Sequence, residues 1–157
     1  MRELVNLKTM LPLLEAALEG GSTFRFFPNG TSMLPMIEPG KDEVVLGAVD
    51  DVRVGDIFFY RRPSGQYVLH RLIDMPRGGS LTFAGDGRYQ SPEFGVQRAW
   101  LIAKLVAYYK DGVLCPMDTP AYRAYTRERV GRFPFYRKKE KIYNFLRMVK
   151  HALKPKK

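Results

Sequence analysis

Residues 56–74 read DIFFYRRPSGQYVLHRLID, and this stretch predicts a β-hairpin. Its two halves, 56–62 and 66–74, are rich in aromatic and β-branched side chains, which favour strands. The Pro-Ser-Gly sequence at 63–65 is typical of the turn between two strands. We therefore expect a mainly β protein.

Further short segments carry the same strand signature on either side of this hairpin. Asp111 and Gly112 predict a tight turn that closes a second hairpin. Many short strands with Gly, Pro and Asp turns are typical of a sandwich or a barrel-like sheet, and 157 residues suit one such domain. The additional predicted strands are 23–27, 43–49, 80–84 and 99–110.

Helical patterns flank the predicted strands. Because a proline inside a helix removes a hydrogen bond and clashes with the preceding turn, we expect a break at Pro12, with a helix from there to Gly20 and Gly21. A second short helix is expected over 121–130. The chain then divides into a helical segment (1–22), a β domain (23–118) and a helical basic tail (119–157). The leucines at helical spacing are Leu4, Leu7, Leu11, Leu14 and Leu18.

Ser32 and His70 are the residues that suggest acyl transfer. A serine hydroxyl needs a base to take its proton, and an imidazole with a pKa of ~6.5 suits that role near neutrality. His70 is one of only two histidines, and it lies in a predicted strand. The competing interpretations are a turn serine that satisfies local backbone and a half-buried strand histidine.

The order of motifs resembles the LexA/type I signal peptidase superfamily of serine peptidases. The chain has Gly-x-Ser-Met-x-Pro at 30–35, Gly-Asp at 55–56, His-Arg at 70–71 and a second Gly-Asp at 85–86, followed by an apolar strand at 99–109. The resemblance implies a coiled, partly open β-barrel. Many members carry lysine at the position of His70, so the chain resembles the Ser-His branch.

The resemblance also implies the roles of individual residues. Ser32 would be the nucleophile and His70 the general base, oriented by an acid that follows the second Gly-Asp box. The usual aspartate is absent at that distance. Glu93 has the closest spacing, whereas Asp86 matches the box itself and is either structural or the alternative acid; turn carboxylates on a loop remain the competing interpretation for both.

The residues around Ser32 are expected to bind the substrate. Gly30 permits a close backbone approach, and Pro35 fixes the turn that follows. Some bacterial members have a hydroxyl residue where Gly30 stands, so an oxyanion would depend on backbone N–H groups; Thr31 is expected to point away. The side chains that resemble the family's apolar substrate floor are Met33, Leu34, Met36 and Ile37, and core packing is the better interpretation for Ile37.

The positive charge is concentrated in the tail. Residues 132–157 hold ten Lys and Arg but one acid, which is +9 of the net charge of +10. Residues 138–153 predict an amphipathic helix, and such helices commonly lie on anionic membranes. We expect 138–157 to contact an anionic membrane surface; a helix packed on the body is the competing interpretation, and nucleic acid ranks third because no reading motif accompanies the charge.

Several other classes of protein are disfavoured. Cys115 is the single cysteine, so no internal disulfide forms, and it is expected to be a buried strand thiol. No histidine or cysteine cluster has metal-ligand spacing, and we expect no cofactor and no metal. The sequence shows neither a signal peptide nor a membrane span, since its longest apolar run, 99–109, contains Lys104.

These patterns predict a serine endopeptidase of signal-peptidase-like type that cleaves a precursor or leader peptide. We expect it in the cytoplasm, peripheral to the inner membrane surface. The alternative is a catalytically inactive peptidase fold that serves as a binding or regulatory module, with a membrane- or nucleic-acid-binding tail.

Overall fold

The computed structural model describes residues 7–87 and 91–134, together with residues 138 and 142. Within this part of the chain, eight strands form one open antiparallel sheet, and two helices lie outside the strands in sequence. The predicted mainly β class is therefore confirmed. The helices are α1 (Leu7–Glu19) and α2 (Pro120–Gly131); the strands are β1 (Phe24–Phe26), β2 (Glu43–Gly47), β3 (Ile57–Arg61), β4 (Tyr67–Asp74), β5 (Leu81–Ala84), β6 (Glu93–Val96), β7 (Leu101–Lys110) and β8 (Val113–Pro116).

The sheet is built around β3, β4 and the long strand β7. The strand order is β1-β2-β7-β3-β4-β5-β6, and β8 also pairs with β7. The predicted β3–β4 hairpin forms, with Phe58 opposite His70 and Tyr60 opposite Val68. Directly opposed residues in antiparallel strands share one face of the sheet, so this register places His70 beside the aromatic side chains of β3.

Strand β3 is buried on both faces. Successive side chains of a strand point to opposite faces. Ile57 and Phe59 belong to one apolar cluster, while Phe58 and Tyr60 belong to a second. This double burial explains why the strand has a continuous apolar sequence instead of alternating polar and apolar residues.

The break expected at Pro12 is wrong, because α1 runs through this proline from Leu7 to Glu19. Pro12 is the sixth residue of α1, so its missing N–H removes one hydrogen bond of the helix, the one to the carbonyl of residue 8. Met10 and Leu14, on either side, are buried in the main core, and their packing stabilises the continuous helix. The end at Gly20 and Gly21 is as expected.

Other boundaries differ from the sequence prediction in one important place. The 121–130 helix and the Asp111-Gly112 turn are confirmed, the latter with positive φ at both residues. Glu93, however, begins a strand, β6, where only a loop was expected. The four-residue strand contains Gly95 at φ 76°, so it lacks the alternation from which a strand is recognised.

The predicted tail helix at 138–153 lies outside the described residues, apart from Lys138 and Ile142, whose side chains are exposed. Among the described residues, no helix is both long and apolar enough to cross a lipid bilayer.

Candidate active site

Ser32 lies in the connection between β1 and β2. The connection is folded locally by hydrogen bonds from the Leu34 N–H to the Thr31 carbonyl, 3.2 Å, and from the Ile37 N–H to the Met33 carbonyl, 3.0 Å. Met33 is buried and anchors the segment in the core. Ser32 itself is half-buried, and its carbonyl accepts a hydrogen bond of 3.1 Å from the Gly87 N–H.

Ser32 and His70 line one cavity of about 470 Å³, which we call the Ser32 cavity. The Ser32 connection forms one part of its wall and β4 forms another. Aromatic and aliphatic side chains supply much of the remainder: Met10, Phe26, Phe59, Tyr67 and Leu69. The tertiary structure thus brings the two sequence-predicted residues to a shared cavity whose lining is part apolar and part polar.

No hydrogen bond among the described residues joins the Ser32 hydroxyl to the His70 ring. The contact of His70 is at Nδ1, which lies 3.3 Å from the Tyr60 hydroxyl. Hydrogen bonds of catalytic groups are often long before substrate binds. The predicted proton transfer between Ser32 and His70 therefore stays a prediction.

His70 is held as a neutral imidazole. The ring is buried, and burial together with the positive charge of Arg62 lowers its pKa from 6.5 to about 4. The nearby Glu93 carboxylate opposes this shift but does not overcome it. At neutral pH the ring is consequently uncharged, and one of its two nitrogens is free to accept a proton.

Glu93 is the carboxylate that lies beside His70. Its Oε2 is 3.9 Å from His70 Nδ1, and it accepts a hydrogen bond of 2.8 Å from the Tyr60 hydroxyl. Arg62 donates to both carboxylate oxygens, Nε to Oε1 at 2.9 Å and Nη2 to Oε2 at 2.6 Å. Burial raises the pKa of Glu93, but these hydrogen bonds outweigh burial and leave the pKa below its ordinary value, so the group is ionised at neutral pH.

Asp86 lies in a different environment. It is buried and accepts two hydrogen bonds from Arg71, Nε to Oδ1 at 2.8 Å and Nη2 to Oδ2 at 2.6 Å. Arg71 also donates to the Gly55 carbonyl at 2.8 Å. Of the two acids considered from the sequence, Asp86 therefore pairs with Arg71, while Glu93 is positioned near the histidine.

The other predicted substrate-binding residues divide between two places. Gly30, Thr31 and Met33 line the Ser32 cavity, and the expectation that the Thr31 side chain points away stays a prediction. Pro35 lines a separate cavity of about 440 Å³ between β7, β8 and α2. An added Cβ at Gly30 would meet nothing within 4 Å, so only an approaching ligand would require glycine there.

The apolar residues after Ser32 are likewise divided. Met33 faces the cavity, Leu34 is partly exposed, and both Met36 and Ile37 are buried in the core. The expectation of a core position for Ile37 is confirmed. Cys115 is half-buried on β8 rather than fully buried, because this short strand pairs only with β7.

The backbone N–H groups of Ser32 and Met33 have no hydrogen-bond acceptor among the described residues. A pair of free N–H groups beside a nucleophile can stabilise an oxyanion. Within the same residues, no group of three or more His, Cys, Asp or Glu side chains has the arrangement of a metal site.

Tyr60 and Arg62 were missed by sequence reasoning. Both lie on or directly after β3, and both contact Glu93. A buried tyrosine usually needs a hydrogen-bond partner, so the tyrosine in the apolar run 57–60 was a signal of a polar neighbour. The identity of that neighbour depends on the pairing of β5 with β6, which brings Glu93 opposite Phe83.

Comparison with known proteins adds no family to this description. No protein-family model matches the chain, and no curated protein matches it in sequence. The resemblance to the LexA/type I signal peptidase superfamily therefore rests on the motif residues themselves.

Proposed function

We propose that the chain is a serine endopeptidase of signal-peptidase-like type. Ser32 is the nucleophile and His70 the general base. The observation that carries the proposal is that Ser32 and His70 line one cavity. The open antiparallel sheet fits the coiled, partly open barrel of the superfamily, which we propose as the fold.

The chemistry follows from these positions. The neutral His70 ring takes the Ser32 proton as the hydroxyl oxygen attacks a peptide carbonyl. The N–H groups of Ser32 and Met33 stabilise the resulting oxyanion. The protonated His70 then donates its proton to the departing amine, and water releases the acyl group by the reverse sequence of transfers.

The substrate that suits this cavity is an extended precursor or leader peptide. The aliphatic and aromatic lining of the Ser32 cavity favours an apolar side chain near the cleaved bond. The basic segment 138–157 is the proposed contact with an anionic membrane on which such a precursor is met.

Cleavage of a peptide library tests the proposed activity. Purified protein is incubated with denatured proteome-derived peptides, and new N-termini are identified by mass spectrometry. Wild type should produce a recurrent cleavage pattern that is lost in Ser32→Ala and in His70→Ala. Ser22→Ala, an exposed serine after α1, is the matched control and should cleave normally. Cleavage that survives Ser32→Ala would exclude the assigned nucleophile.

The membrane contact has its own test. Sedimentation with vesicles of phosphatidylglycerol and phosphatidylcholine should retain the chain, and retention should weaken with salt because screening reduces the attraction. Truncation after Phe135 should abolish retention. Equal binding to pure phosphatidylcholine vesicles would contradict the proposed contact with an anionic membrane. Binding to DNA or RNA that is lost on the same truncation would favour a nucleic-acid-binding tail.

The second candidate is a catalytically inactive peptidase fold that serves as a binding or regulatory module. It is favoured by one observation, the absence of a hydrogen bond between Ser32 and His70 among the described residues. In that case the peptide library gives no Ser32-dependent cleavage, while peptides still bind the cavity and compete with one another.

A further inference from the structure

We propose that Tyr60 is a positioning residue, whose hydroxyl transmits the orienting effect of Glu93 to the His70 ring. This inference rests on the proposed function. It replaces the expected contact between acid and imidazole by a relay in which a tyrosine lies between them.

The distances support an intervening hydroxyl. His70 Nδ1 and Glu93 Oε2 are 3.9 Å apart, which is too long for a hydrogen bond. The Tyr60 hydroxyl is within hydrogen-bond reach of both, 2.8 Å from the carboxylate oxygen and 3.3 Å from the ring nitrogen. Both polar groups therefore have the tyrosine oxygen as their nearest common partner.

The direction of the hydrogen bonds follows from counting protons. A tyrosine hydroxyl has one proton to donate. An anionic carboxylate is a stronger acceptor than a neutral imidazole, and the Glu93 contact is the shorter one, so the proton points to Glu93. The Tyr60 oxygen then accepts from His70 Nδ1–H, which leaves Nε2 unprotonated and available as the base.

The opposite arrangement would disable the site. If Tyr60 donated to Nδ1, the neutral ring would carry its proton on Nε2 and have no free nitrogen for Ser32. The charge of Glu93 prevents this by holding the Tyr60 proton. Arg62 in turn fixes the carboxylate with hydrogen bonds to both oxygens.

The Tyr60 ring is rigidly placed. Its side chain is fully buried, and the ring centroid lies 4.8 Å from that of Phe83. Burial and the adjacent Glu93 carboxylate raise the pKa of Tyr60 well above its ordinary value, so the hydroxyl keeps its proton at neutral pH. Because the Tyr60 ring is already fixed, orienting the histidine through its hydroxyl requires little further loss of side-chain conformational entropy.

Nitrogen NMR of the full chain labelled with ¹⁵N-histidine reads the tautomer directly. His151→Gln removes the second histidine signal and assigns His70. At pH 7 wild type should show Nδ1 protonated and Nε2 unprotonated. Tyr60→Phe removes the acceptor while keeping the ring, and the protonated nitrogen should change to Nε2 or become mixed. Tyr109→Phe, a β7 tyrosine that does not line the Ser32 cavity, should leave the tautomer unchanged.

The activity measurement is the second readout. Tyr60→Phe should lower kcat about 10²-fold, at the lower end of what a positioned acid–base group contributes, with KM unchanged. Because the tautomer is measured without substrate, loss of the proposed function and loss of the relay give different results. A wild-type protein that is inactive but has Nδ1–H would contradict the proposed peptidase activity. An active wild-type protein with Nε2–H would overturn the relay, and so would an unchanged tautomer in Tyr60→Phe.

Glu93→Gln decides the matter if Tyr60→Phe does not fold. Removing the carboxylate charge frees the Tyr60 proton to be donated to Nδ1, so the ring should shift toward Nε2–H. A ring that remains fully Nδ1–H in Glu93→Gln contradicts the relay.

Discussion

Two arginine–carboxylate pairs lie on opposite sides of one strand and differ in what surrounds them. His70 and Arg71 are neighbours on β4, so their side chains face opposite sides of the sheet. The Arg62–Glu93 pair beside His70 and the Arg71–Asp86 pair have the same nitrogen–oxygen distance, 2.6 Å. The side chains of the first pair are 27% and 22% exposed, whereas those of the second are 0% and 1% exposed.

The buried pair is surrounded by groups that connect parts of the fold. Arg71 donates to the Tyr122 and Thr126 hydroxyls of α2, both at 3.1 Å. Arg129 of α2 donates to the Asp86 carbonyl at 3.1 Å. Two ion pairs with the same nitrogen–oxygen distance therefore serve two purposes. The buried pair attaches α2 to the sheet, and the partly exposed pair sets the environment of a titratable ring.

The largest expected effect is on the partly exposed side. Ser32→Ala should reduce peptide cleavage by about 10⁴-fold or more, since members of such a site act as one unit. Its unfolding free energy should stay within ~0.5 kcal/mol of wild type, because the hydroxyl has no hydrogen bond among the described residues. Initial rates and urea unfolding measure the two quantities; a large loss of stability would mean that Ser32 is structural.

On the buried side, Asp86→Asn should lower the unfolding free energy by about 3–5 kcal/mol, because it leaves the buried Arg71 charge without a negative counter-charge. Glu93→Gln is the matched control at the other pair. There solvent screens the lost charge, and we expect a loss of about 1 kcal/mol or less. Equal losses of unfolding free energy in the two variants, measured by urea unfolding, would show that the two ion pairs do not differ in their contribution to stability.

The pH dependence of stability isolates His70. Its pKa is about 4 in the folded chain against 6.5 for the exposed ring. The unfolded state therefore binds the proton first, and stability, complete above pH 6.5, falls as the pH drops toward 4, by at most about 3 kcal/mol. Urea unfolding between pH 7 and pH 4.5 should show this slope in wild type and in His151→Gln, and a flatter one in His70→Gln.

The smallest expected effect distinguishes two glycines. Gly55 has φ +104°, and an added Cβ would lie 2.7 Å from Thr126 Cγ2 of α2, so Gly55→Ala should cost about 1–3 kcal/mol. Gly30→Ala meets open space and should change the unfolding free energy by less than ~0.5 kcal/mol. If Gly30→Ala proves as costly in thermal unfolding, the Ser32 connection is more tightly packed than its contacts indicate.

Much of the fold was predictable from residues close together in the chain. The Pro-Ser-Gly turn between two aromatic runs predicted the β3–β4 hairpin, and α2 and the Asp111-Gly112 turn were also recognised. Pro12 misled because the burial of Met10 and Leu14 beside it stabilises the helix despite the hydrogen bond that the proline removes. Glu93 was expected on a loop because the short strand β6 exists only through its pairing with β5.

The sequence by itself determined the reactive residue types, the hairpin that carries His70 and the concentration of positive charge after residue 131, since each is a property of neighbouring positions. The tertiary structure alone decided that Glu93 and not Asp86 lies beside His70, and that the Tyr60 hydroxyl contacts both Glu93 and His70. The reason is physical: these contacts require the register of β3, β4, β5 and β6 together. A shift of one residue in any of these pairings would turn the side chains to the opposite face.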